Sequence, residues 1–139
     1  MNLQKKQQLL RYGDKSNPFW RHNHMELVDV DDGVATMQLI AHSDSANRWG
    51  TIHGGAIFSL GDAACSMAVT TLREEKCVIV NANINFLRPG KDCVKAIGRV
   101  ERMGGKLTFC KAELYDAGGE LIAQMHAVMS FTGEKIVIE

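Results

Sequence analysis

The sequence predicts an α+β fold in which a curved antiparallel sheet wraps one long central helix. Three observations carry this reading. Residues 53–73 form a long, largely apolar run in which Ile57, Leu60, Ala64, Met67, Ala68 and Leu72 share one face of a helical wheel. A strand–turn–strand pattern precedes that run, and only strand-like segments follow it. One helix and one sheet must then cover each other's apolar faces.

The elements follow in chain order. Residues 2–11 (NLQKKQQLLR) favour a short helix by propensity, with Leu3, Leu9 and Leu10 to dock it. The stretch HMELVDVDDGVATMQLI alternates about Asp31-Asp32-Gly33 and predicts a hairpin. A polar loop, AHSDSANRWG, leads into the long helix, where Ser59, Asp62, Ser66 and Arg73 fall opposite the apolar face. The segments CVIVNANINFL, CVKAIGRVERM, KLTFCKAELYD and ELIAQMHAVMSFT then read as four strands. Their separators, Arg88-Pro89-Gly90-Lys91, Gly104-Gly105 and Ala117-Gly118-Gly119, predict tight turns and hence a four-strand meander.

A chain of 139 residues suits one domain, 1–139, with residues 1–15 as a peripheral N-terminal helix. Sixteen basic and sixteen acidic side chains cancel, so no overall field points to nucleic acid or an anionic membrane as partner. The polar N-terminus lacks a secretory apolar core, and no stretch reads as a membrane span. Cys65, Cys77, Cys93 and Cys110 are scattered, which favours free thiols and a reducing, cytoplasmic setting. His22-Asn23-His24 has no third ligand nearby, so no metal site is expected.

The stretch NRWGTIHGGAIFSLGDAACS holds the chemistry. Gly54 and Gly55 open the helix, where backbone N–H groups lack partners and the dipole is positive. Without Cβ atoms, they either form a tight junction or let a ligand carbonyl approach that terminus and be polarised by it. Asp62 is either a solvated acid on the polar face or a desolvated base, since Phe58, Cys65 and Val69 flank it. Ser66 follows one turn later, within reach of the same group. Eight residues of helix separate Gly54 from Asp62, about 12 Å of axis. One carbonyl cannot touch both within one chain, so shared use requires an antiparallel helix from a second subunit.

The ordered set Asn47, Gly50, His53, Gly54, Gly55 and Asp62 resembles the hotdog-fold acyl-CoA thioesterases of the phenylacetate-degradation type. The segments NINFLRPG and GRVERMGGKLTFCKAELYDAGGELIAQMHAVMSF are similar to the later strands of that family. The resemblance implies that Asp62 acts as general base or nucleophile, while the Gly54 N–H polarises the thioester carbonyl. Asn47 would orient water or substrate, His53 would brace the loop, and Ser66 would assist the acid. It further implies a homodimer as minimal unit and a dimer of dimers, with no cofactor because CoA belongs to the substrate. Many relatives carry Ser or Thr where this chain has Ile79, so that either one polar contact to the water is missing or Asn81 or Asn83 replaces it.

Trp49, Phe58 and Met67 are candidates for an acyl pocket or for plain packing. Arg88, Lys91, Arg102 and Lys106 sit at turns and would attract CoA phosphates, and the Gly104-Gly105 turn would let a pantetheine arm pass. Two rivals remain: a hotdog hydratase or dehydratase, which would need a different His-centred motif, and a non-catalytic acyl-CoA sensor on the same fold.

Overall fold

The computed structural model describes residues 1–15 and 17–139. Two N-terminal helices, α1 (Leu3–Asp14) and α2 (Pro18–His22), precede a hairpin, β1 (Met25–Asp31) and β2 (Val34–Ile40). The long helix α3 (Gly54–Leu72) comes next, followed by β3 (Glu75–Phe86), β4 (Cys93–Met103), β5 (Leu107–Asp116) and β6 (Leu121–Lys135). One six-stranded antiparallel sheet runs β1-β2-β4-β5-β6-β3 and wraps α3.

The meander is therefore a correction. Only β4, β5 and β6 follow one another, whereas β3 pairs with β6 at the far edge. The reason lies in the link at 87–92, which contains Pro89 and is no two-residue hairpin turn. Six residues reach about 20 Å. That is enough to cross the roughly 14 Å separating strands three places apart. Gly90 is buried in this crossing against Ile57, Val94 and Ile122, and its carbonyl accepts from the Ile52 N–H at 2.9 Å.

The helix α3 is covered almost all round, because a helix at the centre of a curved sheet meets apolar groups on most sides. Leu60, Ala64, Cys65, Ala68 and Val69 are fully buried, against Leu114, Met125 and Met129 from the sheet. By length and composition α3 could also cross a membrane, contrary to the sequence expectation, yet here it is the core helix. Leu72, placed on the buried face by the wheel, is 48% exposed because it lies in the last turn, beyond the deep core.

Local chemistry explains the periphery. Asn2 caps α1 by accepting from the Lys5 N–H at 2.8 Å, and Leu9 is fully buried where α1 meets β1. The unforeseen α2 carries Pro18 at its start. Gly33 adopts a left-handed φ of 71° in the hairpin turn, and its N–H donates to Thr71 Oγ1 at 2.8 Å, fixing the hairpin to the end of α3. All four cysteines are free thiols.

Candidate active site

The entry to α3 is built by its own loop. Asn47 Oδ1 accepts from the N–H groups of Trp49 at 3.0 Å and Thr51 at 3.2 Å, and its Nδ2 donates to Thr51 Oγ1 at 2.8 Å. The Asn47 side chain thus braces the turn rather than projecting into open space. The His53 N–H donates to the Ser45 carbonyl at 2.7 Å, which sets the direction of the helix. His53 Nδ1 then accepts from the Gly55 N–H at 2.8 Å, and its carbonyl accepts from Ala56 at 2.9 Å and Ile57 at 3.2 Å.

Those bonds occupy every early donor but one. Among the described residues the Gly54 N–H has no acceptor. A Cβ at position 54 would lie 3.3 Å from the Phe86 ring, and one at 55 would lie 3.0 Å from His53 Nδ1. The two glycines therefore keep the cap closed and let the exposed Phe86 ring lie close to the start of the helix.

Gly54, Phe58, Asp62, Ser66 and Thr70 form one i, i+4 ridge along α3. Asp62 is half-buried and, among the described residues, accepts no hydrogen bond. Burial raises its pKa above the ordinary carboxylate value. Ser66 does not hydrogen-bond Asp62; its hydroxyl points to Met129 Sδ at 3.9 Å. Asp62 opens onto a cleft of about 380 Å³ whose walls include Ser66, Met67, Cys77, Tyr12 and Trp20. Burial also pushes the Cys77 thiol up to about 11, so it stays neutral near neutral pH.

Residues 50–123 match the family model described as the thioesterase superfamily. The chain belongs to the thioesterase superfamily. Acyl-coenzyme A thioesterase 13 of Homo sapiens is 31% identical over 102 residues, covering 70% of this chain and 73% of that protein. Acyl-coenzyme A thioesterase PaaI of Escherichia coli is 29% identical over 82 residues, 58% of each chain. The structure of the E. coli PaaI protein from the phenylacetic acid degradation operon superposes with a TM-score of 0.88. It covers 96% of this chain and 98% of that one at 21% identity, which establishes the hotdog fold.

The remaining predicted residues scatter over this thioesterase fold. Asn81 and Asn83 are exposed and alternate with Ala82 and Ile84, which pack on the core; their side chains therefore point away from α3 and Asp62. Ile79 is half-buried against the same core. Phe58 also packs there and Trp49 is 78% exposed, and neither lines the cleft that Met67 does. Arg88 pairs with Glu120 at 3.3 Å beside the start of β6. Lys106 lies near its other end, where its carbonyl accepts from the Phe131 N–H at 2.9 Å. The Gly105 carbonyl accepts from Arg73 Nη1 at 2.8 Å. The two cations are thus separated by roughly 30 Å of strand and do not form one cluster.

His42 is half-buried and stacks on His24 with ring centroids 3.9 Å apart, with His22 edge-on at 6.4 Å. Among the described residues no group of three His, Cys, Asp or Glu side chains is placed to hold a metal ion. Sequence reasoning missed Phe86, Tyr12 and Trp20. The Asn17-Pro18 pair was the available signal for α2, since proline favours the first helical turn.

Proposed function

We propose that this chain hydrolyses acyl-CoA thioesters to the free acid and CoA, with Asp62 as the base. The observation that carries the reading is a half-buried carboxylate that, among the described residues, has no partner, on the same helical ridge as a backbone N–H that has no acceptor among them. Asp62 takes a proton from water, whose oxygen adds to the thioester carbonyl carbon. The oxyanion faces a Gly54 N–H at the positive end of a helix. Collapse breaks the C–S bond, and the proton passes to the departing thiolate. CoA enters as part of the substrate, and no other cofactor takes part.

Gly54 and Asp62 of one chain lie about 12 Å apart along α3, so each site needs Gly54 from a second copy. The free edge of β3 suits such a copy, since among the described residues β3 pairs only with β6. If Gly54 faces Asp62 across a two-fold axis, Phe58, midway between them, meets its own counterpart. The outward-facing Leu107 and Phe109, 41% and 42% exposed, offer a second surface through which two dimers form a tetramer. His53 holds the N-terminal cap, Asn47 braces the loop behind it, and the four free thiols suit a reducing compartment.

The direct test is thiol release from a panel of aromatic, short, medium and long acyl-CoAs. Turnover of at least one supports hydrolysis, whereas tight binding without thiol release supports the sensor alternative. Mixed dimers test the shared site. Gly54→Pro removes the N–H at a position where proline is tolerated, and the exposed Phe86 ring, 3.3 Å from the new Cβ, must give slightly to admit it. Mixed and re-equilibrated with Asp62→Ala protein, it should regain about a quarter of wild-type activity, since half the dimers carry one intact site of two. An inactive mixture in which mass spectrometry shows hybrid dimers would overturn the shared site.

A further inference from the structure

We propose that the N-terminal segment, through Tyr12 and Trp20, forms the far wall of the acyl-binding pocket and sets the size of acyl group accepted. This rests on the hydrolytic reading of Asp62. The cleft follows α3 from Asp62 past Met67, about 12 Å to Thr70. Its opposite side comes from Tyr12, Trp20, Cys77 and Ile136. Neither aromatic residue lies within the stretch that matches the family model, residues 50–123. The wall thus lies outside the matched core.

The occupant follows from charge. A CoA nucleotide brings several phosphates, yet the cleft presents the Asp62 carboxylate, while Glu75 is held by Arg73 and by the Gly133 N–H. Its lysines are already engaged: Lys15 pairs with Glu139 at 3.7 Å and Lys76 with Glu134 at 3.5 Å. A neutral acyl group loses nothing by entering, whereas a polyphosphate would meet like charge. The carbonyl end must stay at Asp62, so the tail runs toward Thr70 against the wall that the aromatic pair supplies. Flat rings and a length near 12 Å fit an aryl or medium-chain acyl group and exclude long chains.

Trp20→Ala and Tyr12→Ala should raise kcat/KM for dodecanoyl-CoA relative to hexanoyl-CoA by about tenfold or more, mainly through KM. A merely structural role would lower both substrates together and leave the ratio unchanged. Trp20→Leu and Tyr12→Leu keep the test open if the alanine variants unfold. Affinity for non-hydrolysable acyl-CoA thioethers of the same lengths, measured by calorimetry, separates this proposal from the hydrolytic one. A shift in chain-length dependence supports the wall even if no thioester is cleaved. Unchanged chain-length dependence in folded variants overturns it whatever the turnover.

Discussion

Asp62→Asn is expected to lower kcat for the best thioester by about a hundred- to ten-thousand-fold, the usual contribution of a positioned general base. KM should change little, because the amide keeps the carboxylate's shape in the cleft. The same variant should be more stable than wild type near neutral pH. Burial raises the folded-state pKa of Asp62 above the ordinary 3.8. Relative to the protonated form, its stabilising contribution is complete below that ordinary value and is lost as pH rises through the folded-state pKa. Asparagine is neutral throughout and avoids this loss. Thermal melts of both proteins should therefore diverge as pH rises from the acid range and converge as it falls. The acidic limb of wild-type turnover should also sit above the range of an exposed aspartate. Turnover within about threefold of wild type would remove Asp62 from the proposed role.

The parts legible in the sequence were those encoded by local pattern. An apolar run opened by two glycines marked α3 to within a residue at each end, and an acid among small apolar neighbours marked Asp62. Long-range pairing was not legible. The β3–β6 ladder depends on a six-residue link crossing the sheet, and turn composition around Pro89 carries no information about which edge receives the strand. For the same reason the sequence placed Arg88 and Lys106 at turns without showing that β6 holds them far apart. Asn47 showed its type but not its engagement, since the turn that occupies its amide closes through Thr51. The cleft was hidden because Tyr12 and Trp20 reach it from elements distant in sequence, and β-strand alternation alone decides that Asn81 and Asn83 face the other way.

Gly98 was also silent in the sequence, and its replacement should have the largest effect on stability. A Cβ at this position on β4 would lie 2.4 Å from both the carbonyl carbon and oxygen of Ala64, and 2.7 Å from the Cys65 nitrogen. These are backbone atoms in the middle of α3, so no rotamer change relieves the clash and the helix must move off the sheet. Gly98→Ala is expected to destabilise by about 3 kcal/mol, the upper end for overpacking. That corresponds to a melting temperature lower by roughly 10 °C. Gly61→Ala is the informative contrast. Its Cβ would meet Met125 Sδ at 2.7 Å, but that is the end of a flexible side chain, and alanine gains helix propensity there. Its melting point should stay close to wild type. Gly105→Ala, with nothing within 4 Å of the new Cβ, should do the same. Because α3 carries both Gly54 and Asp62, any Gly98→Ala protein that folds should also lose activity beyond its fraction unfolded. If it melts within about 2 °C of wild type, α3 is free to shift against β4, and the close contact at Ala64 does not hold the site in register.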